Sequence, residues 1–281
     1  MEDYIKKIIQ SALDEDIQSG DVTTQAVIPD SVLGKGSFLV KAYGVIAGLG
    51  VAKNVFQLVD EEIIFNQFVD DGKKVNRGEI VAEVTGRASS ILTAERTALN
   101  FLQRMSGIAT LTNKFVEEIS HTKAKILDTR KTIPGLRLLD KEAVRLGGGK
   151  NHRIGLFDMF LIKDNHIEIA GSITKAIDAC RNFQKNKNSN LKIEVETKNL
   201  DEVKEALDCN VDIIMLDNFK TDMMRKAVAI INEKCKVEAS GNINLDNVKE
   251  VAETGVDFIS VGALTHSVKA LDISLEVELR K

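Results

Sequence analysis

The sequence predicts an α/β protein in which a mostly antiparallel sheet precedes an α/β barrel. Three observations favour this fold class. Short strand-like segments separated by turn signals occupy residues 34–85. A long helical pattern covers residues 89–119. From residue 124 onward, six strand-like segments alternate with helical ones. So many consecutive units favour a barrel over a doubly wound sheet, and no Gly-rich dinucleotide loop follows the first strand.

The first region begins with a predicted helix. Apolar residues recur at helical spacing over residues 3–15, and "SGDVTT" ends that pattern. The segments "GSFLVKA", "EIIFNQF" and "GEIVAEV" then read as strands, with turns at "DDGKK" and "NRGE". We expect the helix over 89–119 to be bent or interrupted at Ser106-Gly107, because a Gly/Ser pair is a common site of helix kinks.

The second region alternates strands and helices. Its strand segments are "AKILDT", "DMFLIKD", "LKIEVET", "VDIIMLDN", "KVEASGN" and "DFISVGA". Its predicted helices cover residues 138–146, 172–184, 200–208, 221–234 and 245–253. Ser172, Asn199 and Asn244 stand where a helix N-cap belongs. Gly147 and Gly255 stand where the glycine that follows a helix belongs.

The charge distribution indicates a local anion site. The chain has 281 residues, 43% of them apolar and 28% charged, as in an ordinary globular enzyme. Its net charge of −4 argues against whole-surface affinity for nucleic acid or an anionic membrane. The segment from Lys123 to Lys163, however, has ten Lys or Arg and only four acids, so it carries +6 while the rest of the chain carries −10.

The sequence also predicts a soluble, cytoplasmic protein. Its three cysteines, Cys180, Cys209 and Cys235, are odd in number and lack metal-binding spacing, so we expect them to be reduced. The N-terminus has no apolar signal core, and no stretch reaches the roughly 18 apolar residues of a membrane span.

Every predicted barrel strand ends in polar, small or charged residues. The carboxyl ends of the strands are where α/β barrels hold their active sites. The end residues are Asp128-Thr129-Arg130-Lys131, Lys163-Asp164-Asn165, Glu194 and Glu196, Asp217-Asn218, Ser240-Gly241-Asn242 and Gly262-Ala263. One such end alone could be a helix cap or a solvated loop charge. Six together favour the rim of an active site.

The rim combines three kinds of chemistry. Cations suit a carboxylate or phosphate, and they are Arg130, Lys131, His152, Arg153 and Lys163. Glu196 and Asp217 suit a divalent metal or a developing positive charge. The small-residue loops "ASGN" and "VGAL" suit a phosphate. Together these groups predict a polyanionic substrate escorted by a metal, and a second anionic substrate.

Several alternatives remain open from the residues alone. Arg130 and Lys131 could lie in a surface turn, and the two acids could simply pair with the cations. Lys163 could form a Schiff base in an aldolase-like barrel. Residues 123–163 could bind RNA, although interleaved aromatic residues are missing there. Of the remaining histidines, we expect His121 to be exposed, His166 to hold the Lys163 loop and His266 to cap or support the site.

At this point the chain resembles a known family. The motifs that carry the resemblance are "GDVTT", "ERTALNFLQRMSGIAT", "DTRKTIPGLR", "GGGKNHRIGLFDMFLIKDNHI", "IEVE", "IMLDN", "EASGNI" and "ISVGALTHS". They resemble quinolinate phosphoribosyltransferase, also called nicotinate-nucleotide pyrophosphorylase (carboxylating), in family order and over almost the whole chain. A related phosphoribosyltransferase that acts on another acid is the nearest alternative.

The resemblance implies a fold and a reaction. It implies an N-terminal open α/β sandwich domain at 1–110, completed by 268–281, and an incomplete, TIM-like α/β barrel domain at 111–267. It also implies that phosphoribosyl pyrophosphate and quinolinate react with Mg²⁺ to give nicotinate mononucleotide, pyrophosphate and CO₂ in de novo NAD synthesis.

The resemblance further implies roles for individual residues. Lys131, Lys163, Glu196 and Asp217 would be catalytic, and the two acids would also hold Mg²⁺. The implied substrate-binding set is Arg96, Thr129, Arg130, Lys131, His152, Arg153, Lys163, Glu196, Asp217, Ser240, Gly241, Asn242, Val261, Gly262 and Ala263. Arg96 would complete the site of a partner subunit, which predicts a homodimer, with a hexamer as the larger alternative. Asn242 stands where many relatives have glycine, and asparagine tolerates left-handed backbone.

Overall fold

The computed structural model describes residues 2–279. Residue 1 of the predicted segment 1–110, and residues 280 and 281 of the predicted segment 268–281, lie outside the described residues. The first elements are α1 (Glu2–Ile17), α2 (Val22–Val27), β1 (Leu33–Val40), β2 (Gly44–Val45), α3 (Leu49–Val59), β3 (Ile64–Gln67), β4 (Lys74–Val75), β5 (Ile80–Arg87) and α4 (Ala88–Glu118). The following ones are β6 (Lys125–Leu127), α5 (Arg137–Leu146), β7 (Phe160–Ile162), α6 (Asp164–Ala170), α7 (Ile173–Lys187), β8 (Ile193–Thr197) and α8 (Leu200–Asp208). The last are β9 (Ile213–Asp217), α9 (Thr221–Ile231), β10 (Lys236–Ser240), α10 (Val248–Ala252), β11 (Phe258–Ser260), α11 (Ala263–His266) and β12 (Ile273–Leu279).

The chain forms two compact units, and the predicted antiparallel sheet is confirmed in the first. Unit 1 comprises the described residues up to 113, residues 132–148 and the described residues from 267. Its main sheet has the strand order β12-β1-β5-β3, with every pairing antiparallel. Phe38 in β1, Phe56 in α3 and Phe65 in β3 form an aromatic cluster, with ring centroids 5.8 to 6.3 Å apart. The contacts between these rings hold α3 against one face of the sheet.

Helix α4 runs without a break, so the interruption expected at Ser106-Gly107 is wrong. The Ser106 hydroxyl accepts the Ala47 N–H at 3.0 Å and donates to the Ala47 carbonyl oxygen at 3.1 Å. A Cβ at Gly107 would clash with the carbonyl oxygen of Lys269 and lie 3.0 Å from the Ala270 Cα. The two small residues therefore let neighbouring backbone approach the helix, and this packing offsets the roughly 1 kcal/mol that a helical glycine costs.

Helix α5 was predicted as part of the first β/α pair, and its residues belong to unit 1. A buried ion pair holds it there. Asp140 is fully buried, and Arg104 of α4 donates to both of its carboxylate oxygens, at 3.0 and 2.8 Å. Such a two-point contact fixes both the position and the orientation of the carboxylate.

Unit 2 comprises residues 114–131 and 149–266, and it contains the six predicted strands in one parallel sheet. The strand order is β6-β11-β10-β9-β8-β7. The first strand of the unit thus pairs with the last, as in a barrel, and the sheet is open between β6 and β7. This arrangement confirms the predicted incomplete barrel.

Most helix ends in unit 2 follow the predicted capping residues. The Ser172 hydroxyl accepts the Lys175 N–H, and the Asn199 side chain accepts two N–H groups of α8. Asn244 differs, because it accepts the N–H groups of Asp246 and Asn247 within a turn and α10 starts only at Val248. Helix α9 ends at Ile231, three residues earlier than predicted, since the next two residues adopt left-handed backbone.

The two predicted terminal glycines also behave differently from each other. Gly147 has a right-handed φ of −75°, and the left-handed glycine after α5 is Gly148, with φ 92°. Gly255 has φ 93° and follows the end of α10. Within residues 2–279, none of the helices combines the length and the apolar character that a membrane-spanning segment requires.

Candidate active site

The carboxyl ends of the parallel strands in unit 2 surround a cavity of about 750 Å³. The predicted residues that line it are Thr129, Arg130, Lys131, His152, Arg153, Lys163, Glu196, Asp217, Ser240, Gly241, Asn242, Gly262 and Ala263. Of the predicted set, only Arg96 and Val261 are not lining residues. Arg96 is exposed on α4, and Val261 is buried with its N–H bonded to the Leu127 carbonyl oxygen at 3.0 Å.

Asp128 fixes the segment that carries two of the cations. It is fully buried at the end of β6, where one carboxylate oxygen accepts the His152 N–H at 2.9 Å. The other oxygen accepts the Asn151 side-chain amide at 2.6 Å. This local pairing explains why "NHR" follows a run of glycines and still has a defined position.

Arg130 and Arg153 bring buried donor groups to the cavity. Arg153 donates one guanidinium N–H to the Met159 carbonyl oxygen at 3.1 Å. The Nε atoms of both arginines are buried, and neither has a hydrogen-bond partner among the described residues. Burial, with the positive charge of Arg130 nearby, lowers the pKa of Arg153. Because an unsatisfied buried donor is costly, these two groups fit an anion that would accept their N–H bonds.

Lys163 and Glu196 form an ion pair at the cavity rim, with 3.0 Å between Nζ and Oε2. The alternative that the acids pair with the cations is therefore correct for this one pair, although both partners line the cavity. The Lys163 N–H donates to His166 Nδ1 at 2.9 Å. His166 thus holds the Lys163 backbone at the start of α6, as predicted.

A histidine and two buried glutamates form a cluster, of which His152 and Glu238 line the cavity. His152 Nε2 is 2.8 Å from Glu194 Oε2 and 3.6 Å from Glu238 Oε2. Both glutamates are fully buried, and burial raises the pKa of each carboxyl. The Ser260 hydroxyl donates to Glu238 Oε1. One ligand atom from each of the three residues could meet at a metal ion, since these atoms lie within 4.8 Å of one another.

Two loops with left-handed backbone form the opposite side. Gly241 has φ 96°, and Asn242 and Asn218 have φ 53° and 55°. The Asn218 N–H donates to the Ser240 carbonyl oxygen at 2.9 Å, which ties the ends of β9 and β10 together. A Cβ at Gly262 would lie only 3.2 Å from His266 and from the Lys131 side chain. Glycine at this position therefore lets the loop approach Lys131 closely.

The predicted set missed the residues of the cavity floor. These are Leu161, Met215, Glu238 and Ser260, and Asn218, Ile243 and His266 also line the cavity. Each of the four floor residues lies two positions before a rim residue at the carboxyl end of the same strand. Because side chains of a strand alternate with a period of two, residues at that spacing face the same side. This period was the signal that could have revealed them, and Glu238 within "KVEAS" was the most visible instance.

The fold and the cavity are those of an α/β-barrel enzyme, because such barrels hold their active sites at the carboxyl ends of their strands. Two family models match the chain, "Quinolinate phosphoribosyl transferase, C-terminal domain" over residues 108–276 and the N-terminal domain of the same family over residues 21–106. The chain belongs to the quinolinate phosphoribosyltransferase family.

Similar proteins agree with this assignment. The chain is 48% identical to the chloroplastic nicotinate-nucleotide pyrophosphorylase (carboxylating) of Oryza sativa subsp. japonica, over 98% of this chain and 78% of that protein. It is 46% identical to the mitochondrial quinolinate phosphoribosyltransferase (decarboxylating) 2b of Nicotiana tabacum, over 98% and 82%. A solved structure of the nicotinate-nucleotide pyrophosphorylase from Francisella tularensis superimposes with a TM-score of 0.94 at 44% identity, over 99% and 97% of the two chains.

The activity of the chain follows from this membership. It is a quinolinate phosphoribosyltransferase (decarboxylating), an enzyme of de novo NAD synthesis whose family uses phosphoribosyl pyrophosphate. This activity contradicts the aldolase alternative and the alternative of another acid substrate.

Proposed function

We propose that the cavity of unit 2 is the place where this chain joins quinolinate to phosphoribosyl pyrophosphate, with Mg²⁺ as cofactor. The observation that carries the proposal concerns the buried Nε groups of Arg130 and Arg153, which have no hydrogen-bond partner among residues 2–279. Both arginines line a cavity that also contains two acids. Such donors suit a carboxylate substrate, and the acids suit the positively charged ribose and a divalent cation.

The quinolinate end would be formed by the cations. Arg130, Arg153 and His152 would bind the two carboxylates, and Lys131 and Lys163 would serve both quinolinate and the neighbouring phosphates. Thr129 would support this end from the same strand terminus. Fixed positive groups overcome the repulsion between two anionic reactants and hold them in contact, which is the main contribution that the protein must make.

The phosphate end would be formed by the small-residue loops. The N–H groups around Ser240, Gly241 and Asn242, with those of Gly262 and Ala263, would hold the 5′-phosphate. Val261 would act through its backbone, because its N–H bond to the Leu127 carbonyl oxygen supports the second loop.

Glu196 and Asp217 would hold the ribose hydroxyls and Mg²⁺. They fit the metal because they are carboxylates at the ends of the neighbouring strands β8 and β9, and hard oxygen ligands are those that Mg²⁺ prefers. When bound, Mg²⁺ supplies charge neutralisation to the departing pyrophosphate. The acids would also stabilise the positive charge that the ribose gains as its bond to pyrophosphate breaks.

No protein nucleophile is needed in this scheme. The C1′–O bond breaks, its electron pair leaves with pyrophosphate, and the pyridine nitrogen forms the new bond to C1′. The ring nitrogen then carries a positive charge, which stabilises the electron pair left on the adjacent carbon when its carboxylate departs as CO₂. That carbon takes up a proton from water to give nicotinate mononucleotide. Lys131 and Lys163 would neutralise the phosphate oxygens during the first step.

The assembly and the compartment belong to the same proposal. Arg96, exposed on α4, would complete the site of a partner subunit in a homodimer, with a hexamer as the larger alternative. A cytoplasmic location is supported by the three free cysteines, since disulfides are rare in reducing compartments. Fractionation of cells that express the protein would test the compartment.

The direct test uses the purified protein with quinolinate, phosphoribosyl pyrophosphate and Mg²⁺. We expect equal amounts of CO₂ and nicotinate mononucleotide, and less than about one hundredth of that rate after chelation of the metal with EDTA, since the pyrophosphate charge is then not neutralised. Nicotinate in place of quinolinate is the control and should give no CO₂. Full activity in EDTA would contradict the role of Mg²⁺.

A further inference from the structure

A chain of side-chain amides connects the phosphate loop to one of the two acids. Asn247 Nδ2 donates to the Asn242 carbonyl oxygen at 3.0 Å. Asn242 Nδ2 donates to Asn218 Oδ1 at 3.0 Å, and Asn218 Nδ2 donates to Asp217 Oδ2 at 2.9 Å. The loop after β10 and the carboxylate at the end of β9 are therefore joined by two consecutive hydrogen bonds.

The direction of this chain is fixed by the charge at its end. An ionised carboxylate can only accept hydrogen bonds, so Asn218 must turn its NH₂ group toward Asp217. The Asn218 carbonyl oxygen then faces Asn242, which must in turn present its own NH₂ group. Only a hydrogen-bond donor at position 242 can bond to the Asn218 carbonyl oxygen. The bond from Asn218 uses Oδ2 of Asp217, and the other carboxylate oxygen can accept a ligand.

Both asparagines have a backbone conformation that glycine could also adopt, so the specific contribution of asparagine is its side chain. Asn218 and Asn242 have φ 55° and 53°, in the left-handed region that glycine adopts without strain. Gly241 lies between them in space, and a Cβ there would be 3.0 Å from the Asn218 N atom. The backbone would accept glycine at position 242, so asparagine contributes its amide rather than a backbone shape.

The geometry points to Asn242 as a positioning residue for Asp217. Through Asn218 it holds the Asp217 carboxylate in one rotamer. The loop that receives the phosphate and the acid that faces the ribose are thereby fixed relative to each other. This inference rests on the proposed role of Asp217. It concerns phosphoribosyl pyrophosphate and not quinolinate, because the chain ends on the acid and not on the arginines.

The test is the substitution Asn242→Gly, which keeps the backbone N–H and fits the left-handed φ. Loss of one amide hydrogen bond should raise the Kd for phosphoribosyl pyrophosphate, measured by calorimetry with Mg²⁺, by about fivefold. The KM for this substrate should rise by the same factor, and the KM for quinolinate should change by less than about twofold. The matched control is Asn188→Gly, at a residue with φ 49° at the end of α7 and outside the cavity. It should change neither constant.

A double-mutant cycle distinguishes this role from direct phosphate contact. If Asn242 acts through Asn218, Asn218→Gly should weaken binding by at least as much, and Asn218→Gly combined with Asn242→Gly should be no weaker than Asn218→Gly alone. Multiplicative effects, or an unchanged Kd for Asn242→Gly, would overturn the inference.

Asp217→Asn separates this inference from the proposed function. If this substitution leaves binding of phosphoribosyl pyrophosphate intact, the role of Asp217 itself is wrong. If it weakens binding and Asn242→Gly does not, only the amide chain is wrong.

Discussion

Single residues in the cavity differ in whether their partners are already present. His152 has Glu194 beside it and Lys163 has Glu196, whereas the buried Nε groups of Arg130 and Arg153 have no partner among the described residues. A ligand gains most binding free energy from buried donors that have no partner, because it removes the cost of leaving them without a hydrogen bond.

The substitution Arg130→Ala should therefore weaken quinolinate binding strongly. Loss of charge-assisted hydrogen bonds predicts a Kd about 10 to 100 times higher in calorimetry. The midpoint of thermal unfolding should stay within about 2 °C, because the buried Nε of Arg130 has no hydrogen-bond partner among the described residues to lose. Arg130→Lys keeps the charge without the planar fork and should give an intermediate Kd. Normal affinity in Arg130→Ala would show that the assignment of this residue is wrong.

The buried Glu238 predicts a pH dependence of stability. Its folded-state pKa is raised by burial above the ordinary value of 4.5, so the folded protein binds the proton more strongly than the unfolded chain does. The resulting stabilisation is complete below that ordinary value and is lost as the pH rises through the raised pKa. Glu238→Gln removes this contribution.

We expect the free energy of unfolding of the unsubstituted protein to fall relative to that of Glu238→Gln between about pH 5 and pH 9, with a slope of up to about 1.4 kcal/mol per pH unit. Urea unfolding across this range measures the difference. Glu61→Gln, at an exposed residue between α3 and β3, is the control and should leave the slope unchanged. Parallel curves for Glu238→Gln and the unsubstituted protein would contradict the prediction.

At the scale of single elements, helix α4 depends on close packing at one glycine. Gly107→Ala would place a methyl group against the backbone of Lys269 and Ala270, and overpacking of this kind costs about 1 to 3 kcal/mol. This cost exceeds the gain of up to about 1 kcal/mol from the better helix propensity of alanine.

Thermal unfolding of Gly107→Ala should accordingly have a lower midpoint than that of the unsubstituted protein. Gly50→Ala is the matched control, because Gly50 also lies in a helix but a Cβ there would contact nothing within 4 Å. Its midpoint should be equal or higher. A stabilised Gly107→Ala would mean that the backbone near residue 269 can move aside.

At the scale of the whole molecule, the proposed dimer predicts complementation between inactive subunits. Arg96→Ala and Lys163→Ala should each abolish most activity alone. If Arg96 serves the partner subunit, a mixed dimer contains one site with both residues intact, so an equal mixture with exchanged subunits should recover roughly a quarter of the normal activity.

The same experiment distinguishes this arrangement from one in which Arg96 serves its own subunit. If Arg96 acted within its own subunit, every site in the mixture would lack one residue and no activity would return. Mixing Lys163→Ala with Asp217→Ala is the control, since both residues line the same cavity of one chain. That mixture should stay inactive in either case.

The classes of element and the chemistry of the strand ends could be predicted from the amino-acid sequence alone. Alternation of apolar strands with capped helices is a local pattern, and polar residues at strand ends are adjacent to it in the chain. Both the barrel and most of the cavity rim were therefore predictable from residues close together in sequence.

Contacts between distant residues follow only from the tertiary structure. The amide chain from Asn242 to Asp217 requires the register of β9 and β10 and left-handed backbone at Asn218 and Asn242, and the pairing of Arg104 with Asp140 requires the packing of α5 against α4. Such contacts join parts of the chain separated by 20 or more residues. No local periodicity encodes them, because they follow from how the elements pack and not from how each one forms.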